Sequence, residues 1–147
     1  MMANCEIRDS IFSHQALTDA EDSVLIVIDV QQSFLEKLPK EQVKPLQNRI
    51  AWIVQVAGRL NVPIVATAEN IPNEGTNIPQ IDDLFPVGTK EYNKMSFGLA
   101  EDIAILSAVE ETNRNTAVIV GLETDVCVMQ SALGLLPKRT SKSFKQA

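Results

Sequence analysis

The stretch Val24-Leu-Ile-Val-Ile-Asp-Val30 is apolar at every position but one. A short, β-branched run without alternation suits a strand covered on both faces, which is the environment of a central parallel strand. Thr116 to Leu122 repeats the pattern, and Val62 to Ala68, opened by Pro63, gives a third strand. Between the first two of these in chain order, Val43, Leu46, Ile50, Ile53, Ala57 and Leu60 recur at helical spacing. Pro45 fits that helix only in its first turn, and Asn61 can take the left-handed position that ends it. Leu99, Ile103, Leu106 and Val109 mark a second helix, and Val126 to Leu136 a third. Strands alternating with helices predict an α/β fold, a three-layer Rossmann-like parallel sheet with the 24–30 strand between 62–68 and 116–122.

The limits of that fold follow from the rest of the chain. Its 147 residues, 45% hydrophobic and 22% charged, suit one domain with a real core. Residues 1–22 lack a clear period and are expected to form an N-terminal arm, with the domain at 23–136. Residues 137–147 read as an irregular basic tail. No apolar run follows Leu136, so the sheet is expected to be incomplete on its C-terminal side, with an open edge at 116–122. Residues 69–97, rich in Asn, Pro, Gly and Asp, read as a long connection, a kind of segment that is usually functional.

Composition also narrows the function. A formal charge of −6 and the lack of a broad basic face argue against nucleic acid. No run is long enough to span a bilayer, and the first twenty residues lack a signal peptide's apolar stretch. The expectation is a cytoplasmic protein with a small-molecule partner. Cys5 and Cys127 form no CxxC or metal-type spacing, and His14 is the single histidine. A Cys–His dyad and a histidine-rich metal site are therefore not expected, nor is a cofactor.

Three residues stand out chemically. Asp29 interrupts the first strand near its carboxyl end, the edge where open parallel sheets bind ligands. Cys127 follows the Glu123-Thr124-Asp125 turn at that same edge. With Thr124 as N-cap, Cys127 would sit in the first helical turn, where the dipole favours a thiolate. Lys94, just before the second helix, can reach the same place. Together they would make a nucleophile, a base and a cation that favours the thiolate and keeps the base ionised. Asp29 would take the thiol proton and return it to the leaving group. Other readings stay open: a buried apolar Cys127, an Asp29 that only caps a turn, a solvated Lys94.

Ile28-Asp29-Val30-Gln31 with Phe34, Lys94-Met-Ser-Phe97 and Gly121-Leu-Glu-Thr-Asp-Val-Cys127-Val resemble, in this order, the motifs of the isochorismatase-like cysteine hydrolases, which include nicotinamidases and carbamoylsarcosine amidase. The similarity covers roughly residues 23 to 136, and Thr67-Ala-Glu69-Asn70 with the Gly75 to Pro79 stretch is most similar to the isochorismatase domain-containing subgroup. The resemblance implies a catalytic triad of Asp29, Lys94 and Cys127, and a cis peptide at Leu122–Glu123. It further implies an oxyanion hole from the amides of Glu123 and Cys127. Gln31, Phe34 and Glu69 are candidates for substrate contact. Ala68-Glu69-Asn70 stands where metal-dependent nicotinamidases carry ligands, so no metal is expected. The implied function is hydrolysis of a small carbonyl compound, an amide C–N bond through a thioester, by a homo-oligomer. The alternatives are isochorismatase-type ether hydrolysis and a truncated, non-catalytic remnant.

Overall fold

The computed structural model describes residues 18–143. A 3₁₀ turn at Ala20–Asp22, capped by Asp19, leads into β1 (Ser23–Ile28). Then come α1 (Gln32–Leu35), α2 (Lys40–Arg59), β2 (Ile64–Glu69), α3 (Ile71–Glu74), α4 (Pro79–Asp82) and β3 (Glu91–Lys94). After a 3₁₀ turn at Leu99–Glu101 follow α5 (Ile103–Glu111), β4 (Thr116–Gly121), a π-helical turn at Thr124–Val128 and α6 (Met129–Ser143).

The four strands are parallel in the order β3-β2-β1-β4. β1 is buried at every residue because helices cover both of its faces. Leu25 and Val27 pack toward Ile50, Val54 and Ala57 of α2, while Val24, Ile26 and Ile28 pack toward Leu99, Ile105, Leu106 and Val109. This alternation makes the three layers. β4 pairs only with β1 and stays half-buried along its whole length, so among the described residues it is a sheet edge, as expected.

Several local expectations need correction. The 69–97 connection is not one irregular loop: it holds α3, α4 and the fourth strand, β3. β3 pairs in register with β2, Ala66 opposite Glu91 through Glu69 opposite Lys94. An outer strand is formed by backbone bonds to its neighbour and needs no apolar run, which is why Glu91-Tyr-Asn-Lys94 did not read as one. α2 starts at Lys40, placing Pro45 in its second turn, where it lacks the N–H that would reach the Glu41 carbonyl. Ile103 is 82% exposed and Ile105 takes the core position instead. The 3₁₀ turn ends at Asp102, whose carboxylate caps the amides of Ala104 and Ile105 and resets the helical phase. The last helix runs past Leu136 and Pro137 to Ser143, beyond the expected start of an irregular tail. Residues 1–17, with Cys5 and His14, and residues 144–147 lie outside the described residues.

Gly121 ends β4 where the strand comes closest to β1. The Leu122 amide donates to the Ile28 carbonyl at 3.0 Å, and a Cβ on residue 121 would collide with that carbonyl. Only glycine admits this approach, which brings the turn after β4 over the end of β1. No helix among the described residues is long and apolar enough to cross a membrane.

Candidate active site

The chain steps from β1 outward to β2 and β3, then returns to the opposite side of β1 with β4. Such a reversal opens a crevice beyond the carboxyl ends of the central strands. Every strand delivers one functional group there. Asp29 directly follows β1, Glu69 ends β2, Lys94 ends β3, and Cys127 lies in the turn after β4.

Asp29 adopts a left-handed backbone (φ 51°), an uncommon conformation for a residue with a side chain. Neighbouring groups hold it there. Its amide donates to the Thr67 carbonyl at 3.0 Å, and the next amide, of Val30, donates to Asn77 Oδ1 at 2.6 Å. Asn77 is buried and also donates to the Thr67 carbonyl at 3.0 Å, while Glu91 accepts from its backbone and side-chain N–H groups. This bracket joins the ends of β1 and β2 to β3.

The Asp29 carboxylate is buried between Thr67, Lys94 and Cys127, and its Oδ2 is ion-paired without a hydrogen bond. Thr67 Oγ1 donates to Oδ1 at 2.8 Å, and Lys94 Nζ lies 2.9 Å from Oδ2. Lys94 is 0% exposed. Its ammonium also donates to the Ser96 carbonyl at 2.6 Å, and it lies 3.7 Å from Cys127 Sγ and 3.6 Å from Glu69 Oε2. The thiol donates to Glu69 Oε2 at 3.4 Å. Asp29, Lys94 and Cys127 are thus brought together, and Glu69 joins them. Its side chain, 26% exposed, is the wettest of the group.

The charges follow from burial and pairing. Burial pushes the Asp29 carboxyl up, and Lys94 and Thr67 only partly pull it back. Burial alone would lower Lys94, but Asp29, with Cys127 and Glu69, more than reverses this and holds the ammonium above its ordinary value. The thiol departs from expectation. Burial pushes Cys127 up to about 12; Lys94 offsets part of this, while Asp29 and Glu69 add to it. Nor is Cys127 in the first turn of an α-helix. It sits in the π-helical turn, where the Met129 amide reaches back to the Thr124 carbonyl, and α6 begins after it. Burial thus favours the protonated form of the Cys127 thiol. Alkylation of Cys127 by iodoacetamide is expected to accelerate about tenfold per pH unit from pH 7 to 10; a plateau below pH 8 in that rate profile would show a preformed thiolate.

The donor atoms of Asp29, Glu69 and Cys127 lie within 4.8 Å of one another, close enough to hold a cation. Lys94 Nζ already stands within 3.7 Å of an atom of each. The ammonium is the positive charge that this cluster requires.

Other expected residues fall differently. Gln31 is fully buried, and its amide clamps backbone. Nε2 donates to the Glu69 and Gly75 carbonyls at 2.8 and 2.7 Å, and Oε1 accepts from the Glu69 amide at 2.8 Å. Gln31 thereby positions Glu69. Phe34 packs into the core with Lys37 Nζ 4.4 Å over its ring. Its remaining surface lines a cleft of about 690 Å³ with Lys37, Leu46 and Glu123; Cys127 is not on that wall. Glu123 accepts from Lys37 at 2.8 Å. The described residues contain no cis peptide, so the expected bond at Leu122–Glu123 is trans. The left-handed conformation of Glu123 (φ 56°) makes the turn instead, and its carbonyl accepts from the amides of Val126 and Val128. Thr67 and Asn77, which fix Asp29, were not legible beforehand: both lay among ordinary strand and loop polar residues.

Residues 23–138 match the isochorismatase domain. Isochorismatase domain-containing protein 2 of Xenopus laevis is 28% identical over 118 residues, 79% of this chain and 54% of that protein. The chain spans about half the length of the curated relatives it matches. Among solved structures, the octameric Escherichia coli hydrolase YcaC, of unknown specificity, has a TM-score of 0.75 at 20% identity, covering 84% of this chain and 61% of its own. N-carbamoylsarcosine amidase of Thermoplasma acidophilum has a TM-score of 0.68 at 18% identity, covering 80% and 78%. These two likenesses are of fold.

Proposed function

This chain belongs to the isochorismatase family, and from that premise we propose that it hydrolyses a small carbonyl compound, an amide, through a thioester on Cys127. The observation that carries this reading is the fully buried Lys94 ammonium, 2.9 Å from Asp29 and 3.7 Å from Cys127 Sγ. A charge so desolvated is costly unless it serves its partners. Here it can stabilise the thiolate that develops during attack, while Asp29 keeps it in place. The sulfur attacks the carbonyl carbon, and the amides of Glu123 and Cys127 are proposed to hold the oxyanion. The amine leaves, and water cleaves the thioester.

The amide specificity draws support from the amidase among the fold neighbours. The assembly of YcaC suggests that copies of this chain also associate. Met129, Leu133 and Leu136 are exposed along α6 at helical spacing, and β4 is open at the sheet edge.

The test is a panel of small primary amides incubated with the protein. Ammonia release is expected, together with an acyl adduct that peptide mass analysis locates on Cys127. Ammonia release without any adduct on acid quenching, coupled with full activity after alkylation of Cys127, would sink the thiol route.

A further inference from the structure

We propose that Asn77, oriented by Glu91, is a positioning residue of this site: it locks Asp29 in the left-handed conformation that aims its carboxylate at the Lys94 ammonium. The effect on turnover rests on the thioester reading above; the alignment of the ion pair does not. Three observations lead to it.

The first is where the grip falls. The direction in which a side chain leaves the main chain is set by the two peptide planes that flank its Cα, and both planes beside Asp29 are tied down. The plane before it carries the Asp29 amide, which donates to the Thr67 carbonyl at 3.0 Å. The plane after it carries the Val30 amide, which donates to Asn77 Oδ1 at 2.6 Å. The Val30 carbonyl accepts in turn from the Ile78 amide at 2.9 Å, so Asn77 and Ile78 grip Val30 from both sides. The φ of 51° at Asp29 is unfavourable for a residue with a side chain, and such a conformation persists only where its surroundings enforce it. Without Asn77 the second plane is free to turn, and the carboxylate swings away from the ammonium that lies 2.9 Å from its Oδ2.

The second observation is the chemistry of the gripping group. The place demands an acceptor facing the Val30 N–H and a donor facing the Thr67 carbonyl, both on one short planar group. Asparagine supplies the two together, whereas an aspartate lacks the donor and a leucine lacks both. Asn77 is buried, so bulk water cannot take over either bond.

The third observation is what orients Asn77. Glu91 accepts from its backbone N–H at 2.8 Å and also from its Nδ2, which turns the amide nitrogen toward Glu91 and leaves the oxygen for Val30. Glu91 opens β3 and Lys94 closes it. One short strand therefore supplies, from its two ends, the anchor that aims Asp29 and the cation at which Asp29 is aimed. Because β3 pairs in register with β2, from Ala66 opposite Glu91 to Glu69 opposite Lys94, the two are set in place at once.

The experiment joins a double-mutant cycle on stability to kinetics. Urea midpoints are measured for the wild type, Asn77→Ala, Lys94→Met and the double variant. If Asn77 aligns the pair, Asn77→Ala has already given up much of the attraction, so the midpoint drop caused by Lys94→Met is expected to shrink by about half or more in that background. Equal drops in the two backgrounds overturn the proposal, because Asn77 then supports the fold without aligning the pair. If Asn77→Ala does not fold, Glu91→Ala takes its place in the cycle under the same criterion. On an amide that the wild type cleaves, Asn77→Ala is expected to lower kcat about 100-fold with KM little changed, the cost of a misplacement of about 1 Å. Glu91→Gln keeps an acceptor oxygen and should retain most of the kcat that Glu91→Ala loses. Asn93→Ala is the control: Asn93 Oδ1 ties β3 to the Ile71 amide at 2.8 Å, a bond that does not lead to Asp29. A kcat loss in Asn93→Ala as large as that in Glu91→Ala would mark a general loosening of β3 and overturn the proposal. So would a rise in KM with kcat intact in Asn77→Ala. If the wild type cleaves no amide, the thioester reading fails, while the stability cycle still decides whether Asn77 aligns the ion pair.

Discussion

Replacing Lys94 with methionine is expected to cost about 3–5 kcal/mol of folding stability at pH 7, a large share of the ~5–15 kcal/mol available to a domain. Methionine fills much of the same volume, so the loss comes from charge and not from a cavity. Asp29 would remain, fully buried, with its ionised carboxylate facing no cation. Its carboxyl, which burial already raises above 3.8, would move up further once the lysine no longer pulls it down. The sign of the pH effect follows. A raised folded-state value means that the folded protein resists ionisation, so the penalty grows as pH climbs above 3.8 and levels off above the raised value. Lowering the pH toward 4 should therefore close the gap between variant and wild type. Urea titrations at pH 7 and 5 measure this. Adding Asp29→Asn to the lysine variant should recover stability at pH 7. A Lys94→Met protein as stable as the wild type at both pH values would mean that the pair is not buried as described.

The second large effect is chemical. Cys127→Ser is expected to reduce amide turnover by about 10⁴-fold or more with little change in stability, because a hydroxyl matches the thiol in shape but ionises far less readily. The same variant separates the amide reading from ether hydrolysis of the isochorismatase type, which needs the aspartate and no sulfur nucleophile. Activity on an enol ether that survives Cys127→Ser, with no activity on amides in either protein, would favour the ether route. Both measurements require only purified protein and a coupled assay for ammonia or for the released acid.

How much of this was legible in the sequence depended on what held each residue in place. β1 announces itself because both of its faces are covered, so every side chain after Ser23 must be apolar. β2 and β4 follow from the same rule, and their order from the parallel connections. β3 is different: backbone pairing to β2 makes it a strand, and neither its composition nor its period carries a signal. Ile103 falls off the buried face because Asp102 starts a new helix there as its N-cap. Motif spacing picked out Asp29, Lys94 and Cys127, but their protonation was not readable. Burial decides it, and burial belongs to the assembled sheet. Gln31 was a candidate for substrate contact, and its role as a backbone clamp was not legible, since nothing local to residue 31 reveals that Glu69 and Gly75 will arrive beside it.

The position of Lys94 at the end of β3 ties two kinds of motion together. β3 is short and outermost, the sort of element that frays first and reopens most often. Yet its last side chain reaches across β2 to the carboxylate after β1. Unzipping β3 thus means pulling a desolvated ammonium away from its counter-ion, so the ion pair works as a latch on the weakest strand. The converse holds as well. Whatever loosens that strand, whether heat, denaturant or a mutation in the preceding turn that the Thr89 amide closes on the Pro86 carbonyl, also withdraws the positive charge from the sulfur, so the fraying of an outer strand and the loss of the reactive centre are one event.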